Sequence, residues 1–178
     1  MYNKFMNDKK RTIFISYEYS YEGRQLRKII EKSLENSGIM INYSENEDKS
    51  ANSNSTIWNW LHNRISGSSV TVLAYTSNVF NKLEPSYSFE TSPYIYREIN
   101  ATLRNWKDNK INGLVVVFEE EHMKHFLPAI LKENEEFIVF VTKEGFIRNP
   151  KYYINKAFEN RQEQINHNKY NIKYKFHN

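Results

Sequence analysis

Residues 12–17 read Thr-Ile-Phe-Ile-Ser-Tyr, and this short run decides the predicted fold. Its apolar residues follow one another without alternation, which is typical of a strand buried on both faces of a parallel sheet. Comparable apolar runs recur at 39–42, 70–75, 114–118 and 137–141. We therefore predict five short strands, the first of them at about 11–17.

Stretches with helical spacing of apolar residues separate these runs. They predict helices at 21–36, from near Ser55 to Gly67, from Pro93 onward, at 122–131 and at 150–164. The inward face of the third helix is predicted to be Ile95, Ile99, Leu103 and Trp106. Strands that alternate with helices predict an α/β domain, in which a five-stranded parallel sheet carries helices on both faces.

The chain is short enough for one domain. Its 178 residues fit a single core, which we place at 11–165. Residues 1–10 are polar and are predicted to form a flexible arm, and 166–178 are predicted to form a basic tail.

Composition excludes several classes of function. No cysteine is present, which excludes disulfides, thiolate zinc sites and cysteine nucleophiles. Lysine plus arginine number 25 against 21 acidic residues, and this net charge of +4 is too mild for a dedicated nucleic-acid binder. No apolar run reaches the ~20 residues of a membrane span or forms a signal peptide, so we expect a soluble cytoplasmic protein without a membrane partner.

Motifs of several common chemistries are missing. The sequence has no Gly-x-x-x-x-Gly-Lys-Ser/Thr loop, no Gly-x-Gly-x-x-Gly turn after the first strand and no Gly-x-Ser-x-Gly elbow. The first strand ends in Ser16-Tyr17, whereas a magnesium-dependent receiver domain would need an acidic pair there. His122 and His125 form the one close histidine pair, and we expect it to lie at the surface rather than to bind a metal.

Polar and aromatic residues follow the predicted strands at one edge of the sheet. Ligands of open α/β sheets bind outside the carboxyl ends of the strands, where the strand order reverses. This rule predicts a crevice lined by Ser16-Tyr17, Asn42-Tyr43, Tyr75-Thr76 and the segment 77–98. The connection 77–93 is long, and long loops in compact domains are often functional.

Glu98 is the carboxylate of greatest interest in this crevice. It lies near the start of the third helix, four residues after Tyr94, so both side chains share one helix face. An aromatic ring can stack on a nucleotide base, and a carboxylate can bind ribose hydroxyls and stabilise an oxocarbenium-like transition state. The pair therefore suits cleavage of a glycosidic bond to a cationic base, such as that of NAD. Glu84 and Glu90, in the preceding loop, are competing carboxylates that we expect to be solvated.

The sequence resembles a TIR domain and, within that superfamily, the bacterial Thoeris anti-phage sensor group. The resemblance covers about 11–160. It lies in Phe14-Ile15-Ser16-Tyr17, in the polar stretch 43–54 at the position of the family's BB loop, in the third strand, and in Tyr94-Ile95-Tyr96-Arg97-Glu98-Ile99. The last segment matches a Trp-x-x-x-Glu motif, with Tyr94 where the family usually has tryptophan.

The resemblance implies a flavodoxin-like, TIR-like fold and an enzyme that uses NAD as substrate rather than as cofactor. Glu98 would be the catalytic residue and Tyr94 would line a base pocket. Ser16 and Tyr17 would form the other wall, and Asn42 and Tyr43 would lie at the loop entrance. The product would be a cyclic or conjugated ADP-ribose signal that activates a downstream effector after a phage-derived trigger. Self-association would build a composite site from two protomers.

Two other functions remain open on the sequence. The chain could be a non-catalytic TIR-type interaction module that binds another TIR domain through its BB loop and helix faces. It could also be a flavodoxin-like domain that binds a flavin or nucleotide without turning it over. Glu98→Gln separates the enzyme from the interaction module, because only the enzyme should lose its function. Flavin absorbance of the purified protein would favour the flavodoxin-like binding domain.

Overall fold

The computed structural model describes residues 12–42, 53–105 and 111–167. The strands are β1 (Thr12–Tyr17), β2 (Met40–Ile41), β3 (Val70–Tyr75), β4 (Gly113–Phe118) and β5 (Ile138–Thr142). The helices are α1 (Tyr21–Asn36), α2 (Asn54–Ser66), α3 (Tyr94–Thr102), α4 (Ala129–Lys132), α5 (Lys143–Arg148) and α6 (Pro150–Asn166). Short 3-10 helices lie at Phe80–Leu83, Glu121–His125 and Glu135–Phe137. The predicted arm at 1–10, most of the predicted tail and most of the polar stretch 43–54 lie outside the described residues.

The five strands form one parallel sheet in the order β2-β1-β3-β4-β5. This is the order of flavodoxin-like folds, so the predicted α/β class is confirmed. The order reverses between β1 and β3, which pair from Ile13 with Val70 to Tyr17 with Ala74. The carboxyl ends of these two strands therefore flank the topological switch point.

Alternate residues of the strands point to opposite faces of the sheet, and each face carries its own helices. On one face Ile13, Ile15 and Tyr17 of β1 pack in a core with residues of α1, α5 and α6. On the other face Phe14 packs against residues of α2 and α3. Ser16, two residues after Phe14, shares this second face.

Backbone contact fixes the last helix against the sheet. A Cβ atom placed on Gly113 would lie 2.3 Å from the carbonyl oxygen of Ala157 in α6, so β4 and α6 touch through their main chains. Pro150 occupies the first turn of α6, and Asn149 caps it by accepting a hydrogen bond from the Tyr152 amide. Proline and a capping amide are typical of a helix start, which is why this helix was predictable.

Several predicted bounds were wrong. The helix predicted at 122–131 is instead a 3-10 turn and the four-residue α4, with Pro128 at the N-cap between them. Helix α5 was not predicted, because Gly145 at its centre weakens any helical pattern. Helix α3 ends at Thr102; Leu103 follows it as a buried C-cap, and Trp106 lies outside the described residues.

Within the described ranges, none of the helices has the length and apolar character needed to cross a membrane.

Candidate functional site at the carboxyl end of the sheet

Ser16 and Glu98 meet on the face of the sheet that carries α3. The Ser16 hydroxyl donates a hydrogen bond to Oε2 of Glu98 over 2.5 Å, and the two residues are only 1% and 7% exposed. Ser16 comes from the carboxyl-terminal half of β1 and Glu98 from the second turn of α3. The structure therefore brings together two residues that the sequence placed in the same crevice.

Helix α3 is buried to an unusual extent for a helix that carries polar residues. Eight of its nine residues are buried, and four of these, Arg97, Glu98, Asn100 and Thr102, are polar or charged. A helix at the surface would turn such residues to solvent. Thr102 is satisfied by a 2.9 Å hydrogen bond to Thr71 of β3. Several polar side chains of α3 are therefore enclosed inside the protein.

Tyr94 connects the beginnings of two helices. Its hydroxyl lies 3.0 Å from the side-chain oxygen of Asn54, the first residue of α2. Tyr94 itself is the first residue of α3 and is half-buried. Burial raises the pKa of its hydroxyl, and the charge of Arg97 partly opposes that increase. The ring therefore lies one turn from Glu98 at the open end of the helix, where it was predicted to line a base pocket.

Arg97 lies inside a cage of aromatic rings that the sequence did not reveal. The guanidinium carbon is 4.3 Å from the ring centre of Trp58, 5.0 Å from Phe89 and 5.3 Å from Tyr94. Trp58 and Phe89 meet edge to face at 5.2 Å. Burial lowers the pKa of Arg97, and the charges of Tyr94, Glu90 and Glu98 oppose that effect. We call Trp58, Phe89 and Tyr94 the aromatic cage.

Tyr75 lies on the same face of the sheet as Ser16, but its side chain is packed inside the protein. Its hydroxyl donates to the Phe126 carbonyl over 2.8 Å, and its ring packs edge-on against Phe118. Burial raises the pKa of Tyr75 to about 12. The adjacent Thr76 is fully buried, and its hydroxyl has no hydrogen-bond partner in the part of the chain that the structure describes.

Tyr17 lies on the opposite face of the sheet from Glu98. Its hydroxyl accepts a 2.7 Å hydrogen bond from Arg27 of α1, whose guanidinium also lies 4.8 Å from the centre of the tyrosine ring. Arg27 is held in turn by an ion pair with Glu31. The structure therefore does not bring the Tyr17 side chain together with Ser16 and Glu98.

Asn42 is placed beside the last turn of α2. Its amide group donates to the Arg64 carbonyl at 2.9 Å, and its oxygen accepts from the Arg64 guanidinium at 2.8 Å. Ser68, just before β3, lies 3.3 Å from the same amide nitrogen. The side chain is thus bonded at the amino end of β3, away from the Ser16–Glu98 contact. Tyr43 lies outside the described residues.

Glu18 is a further carboxyl group at the switch point, and no sequence motif marks it. It follows β1 directly, and its buried Oε2 has no hydrogen-bond partner among the described residues. Its carbonyl accepts from the Ser20 amide at 2.8 Å, and a Cβ on Gly23 would lie 2.0 Å from that carbonyl oxygen. The turn from β1 into α1 is therefore tight and depends on glycine.

The described ranges contain no cluster of three or more histidine, aspartate or glutamate side chains able to hold a metal ion. His122 contacts Glu120 at 3.2 Å, and both side chains are exposed.

No protein-family model matches this chain, and no curated protein sequence matches it. The function therefore has to be inferred from the chemistry of Ser16, Glu98 and the residues around them, and the resemblance to TIR domains stays a prediction.

Proposed function

We propose that this protein is a TIR-like enzyme that cleaves the bond between nicotinamide and ribose in NAD, with Glu98 as its catalytic residue. The observation that carries the proposal is the buried hydrogen bond from Ser16 to Glu98 beside the switch point of the sheet. A carboxyl group is costly to bury unless it is hydrogen-bonded, and ligands of open α/β sheets bind beside the switch point, so Glu98 is a candidate functional group.

The proposed chemistry needs one carboxylate. Nicotinamide leaves NAD as a neutral molecule when the glycosidic bond breaks, so no acid has to protonate it. Positive charge then develops on the ribose, and the Glu98 carboxylate stabilises it in a poorly solvated site. Ser16 fixes the orientation of that carboxylate through its hydrogen bond. Tyr94, one turn earlier on α3, provides a ring on which a base can stack.

The proposal extends to a role in the cell. The reaction would release an ADP-ribose-derived second messenger, cyclic or conjugated, in bacterial anti-phage defence. Water, a group of the same molecule or an outside group would capture the ribosyl cation, and the shape of the site selects among them. In this proposal the enzyme is cytoplasmic, is activated by infection or self-association, and acts on its effector through the diffusible nucleotide.

Glu98→Gln tests the proposal because glutamine has the same shape and still accepts the Ser16 hydrogen bond. We expect the variant to fold and to lose at least about 100-fold in NAD cleavage, the range found when one electrostatic stabiliser of a transition state is removed. The measurement is nucleotide mass spectrometry of purified protein with NAD, and of cells before and during phage challenge. Glu84→Gln, in the exposed loop, is the matched control and should retain wild-type activity.

Undiminished cleavage of NAD by a folded Glu98→Gln protein would count decisively against the proposal. The mass of the product separates cyclisation from conjugation. Free ADP-ribose would indicate that water captures the cation.

A non-catalytic TIR-type interaction module is the second candidate. Tyr19 and Tyr21, both exposed, follow β1 at the same edge of the sheet and favour it. If the protein is such a module, the double variant Tyr19→Ser, Tyr21→Ser should lose binding to a second TIR domain in a pull-down assay, and Glu98→Gln should leave binding intact. Binding that is lost only with Glu98→Gln would argue against the module.

A further inference from the structure

The first turn of α3 lacks a capping side chain. Pro93 occupies the N-cap position and makes no side-chain hydrogen bond to the helix. The amide groups that open a helix have no acceptor within it, and the helix dipole adds partial positive charge there. Pro93 and Tyr94 are half-buried, so this turn reaches the surface. It lies at the carboxyl end of the sheet, beside the start of α2, to which Tyr94 is hydrogen-bonded.

A buried cation lies next to this uncapped turn. Arg97 is 4% exposed, and its Nε has no hydrogen-bond partner in the described part of the chain. Glu90 and Glu98 act on it electrostatically, but no carboxylate of the described residues forms an ion pair with it. Its guanidinium lies over the ring of Tyr94, the first residue of the helix. Burial of a cation without an ion pair is unfavourable, and cation–π contacts with the aromatic cage offset only part of that cost.

We propose that the first turn of α3 and Arg97 together form a subsite for the diphosphate of a dinucleotide. Helix amides and a guanidinium are the two groups that proteins use most readily to bind phosphate. Glu98 lies four residues from the helix start, about 6 Å along the axis, which is the span of one ribose. The assignment to a dinucleotide rests on the proposed function, while the existence of an anion site does not.

A purely structural role for Arg97 makes a different prediction. If the guanidinium only holds Phe89 and Trp58 to α3, its removal destabilises the protein and has no specific effect on anion affinity. If it binds a diphosphate, the affinity for pyrophosphate and for ADP-ribose falls in a folded variant. Arg97→Lys separates the two further, since lysine keeps the charge but cannot donate two parallel hydrogen bonds.

Isothermal titration of the full chain with inorganic pyrophosphate and with ADP-ribose, at fixed ionic strength, tests the inference. We expect the wild type to bind both. Arg97→Gln should weaken both affinities by about 10-fold to 100-fold, the loss expected for one charge-assisted contact. The affinities of Arg97→Lys should lie between those of the wild type and those of Arg97→Gln. Arg104→Gln, which removes a half-buried arginine just after the other end of α3, is the matched control and should bind as the wild type does.

Failure of the wild type to bind pyrophosphate, or equal affinity in a folded Arg97→Gln or Arg97→Lys protein, would overturn the subsite. The outcome is separable from that of the proposed function because no turnover is involved. Glu98→Gln removes a negative charge that acts on Arg97, so it should bind pyrophosphate at least as tightly as the wild type does. A protein that binds pyrophosphate through Arg97 but never cleaves NAD would retain the anion site and lose the enzymatic assignment.

Discussion

Oγ of Ser16 lies 2.5 Å from Oε2 of Glu98, although the two residues are 82 positions apart in the chain. The contact joins the first strand of the sheet to the helix that carries the candidate catalytic group. Both groups are buried, so the geometry of each depends on the other. Loss of the Ser16 hydroxyl should therefore affect both the stability of the protein and the orientation of the Glu98 carboxylate.

Ser16→Ala should lower the free energy of unfolding by about 1–3 kcal/mol, because a buried acceptor loses its donor. It should also lower the rate of NAD cleavage, since the carboxylate is then free to rotate. Urea unfolding and steady-state kinetics measure the two effects. Thr71→Val breaks another buried hydrogen bond, the one between the hydroxyls of Thr71 and Thr102. It should lower the free energy of unfolding by a similar amount without altering kcat. Equal kinetics in the two variants would show that Ser16 has no orienting role.

Phe89→Leu should loosen the loop before α3. Phe89 packs edge-on against Trp58 and lies 5.0 Å from the Arg97 guanidinium, so it connects the loop to two helices. An aromatic pair and a cation–π contact are each worth about 0.5–2 kcal/mol. We expect faster cleavage by a protease of low specificity within 84–92, measured by mass spectrometry of the fragments. Phe126→Leu, at an exposed phenylalanine, should leave the cleavage rate of this loop unchanged.

Tyr75 should make the protein less stable at alkaline pH. Burial raises the pKa of its hydroxyl from 10.0 to about 12, so the unfolded chain loses this proton at lower pH than the folded protein does. The stabilising contribution of the neutral hydroxyl is complete below pH 10 and is lost as pH rises toward 12. The stability difference between wild type and Tyr75→Phe should therefore shrink between pH 10 and about 12 in denaturant titrations.

The same titrations with Tyr87→Phe provide the control, because the Tyr87 ring is fully exposed. Tyr96, whose pKa burial also raises, is present in every one of these proteins and cancels in the difference. A difference between wild type and Tyr75→Phe that stays constant over this pH range would contradict the assignment of a raised pKa to Tyr75.

Gly113→Ala should destabilise the protein severely. The added methyl group would lie 2.3 Å from the carbonyl oxygen of Ala157, so α6 has to move away from β4. Overpacking of this kind costs about 1–3 kcal/mol or more, and here the clash is with backbone rather than a flexible side chain. Thermal unfolding by circular dichroism measures the loss. A Tm within about 2 °C of wild type would mean that α6 is not held against the sheet as described.

The fold was predictable from the sequence because each strand is a continuous apolar run and each long helix is periodic. Ser16 and Glu98 were predictable as neighbours, since the topology of such sheets brings strand ends to one crevice. Arg97 was not, because an arginine within a helix is usually exposed, and its burial here depends on Trp58 of α2 and on Phe89 of the loop before α3. Tyr17 was misplaced because neighbouring residues of a strand point to opposite faces, so its side chain cannot share the face of Ser16. Asn42 was misplaced because its partner, Arg64, lies on a helix that is distant in sequence.

The burial of α3 also affects how fast its amide protons exchange with solvent. Exchange from its interior turns requires the helix to separate from the sheet, so we expect these amides to exchange slowly. The amides of the preceding loop, which is largely exposed, should exchange faster than these. A ligand that arrives at the amino end of α3 would therefore find the Glu98 carboxylate already fixed, and only the approach to it would adjust.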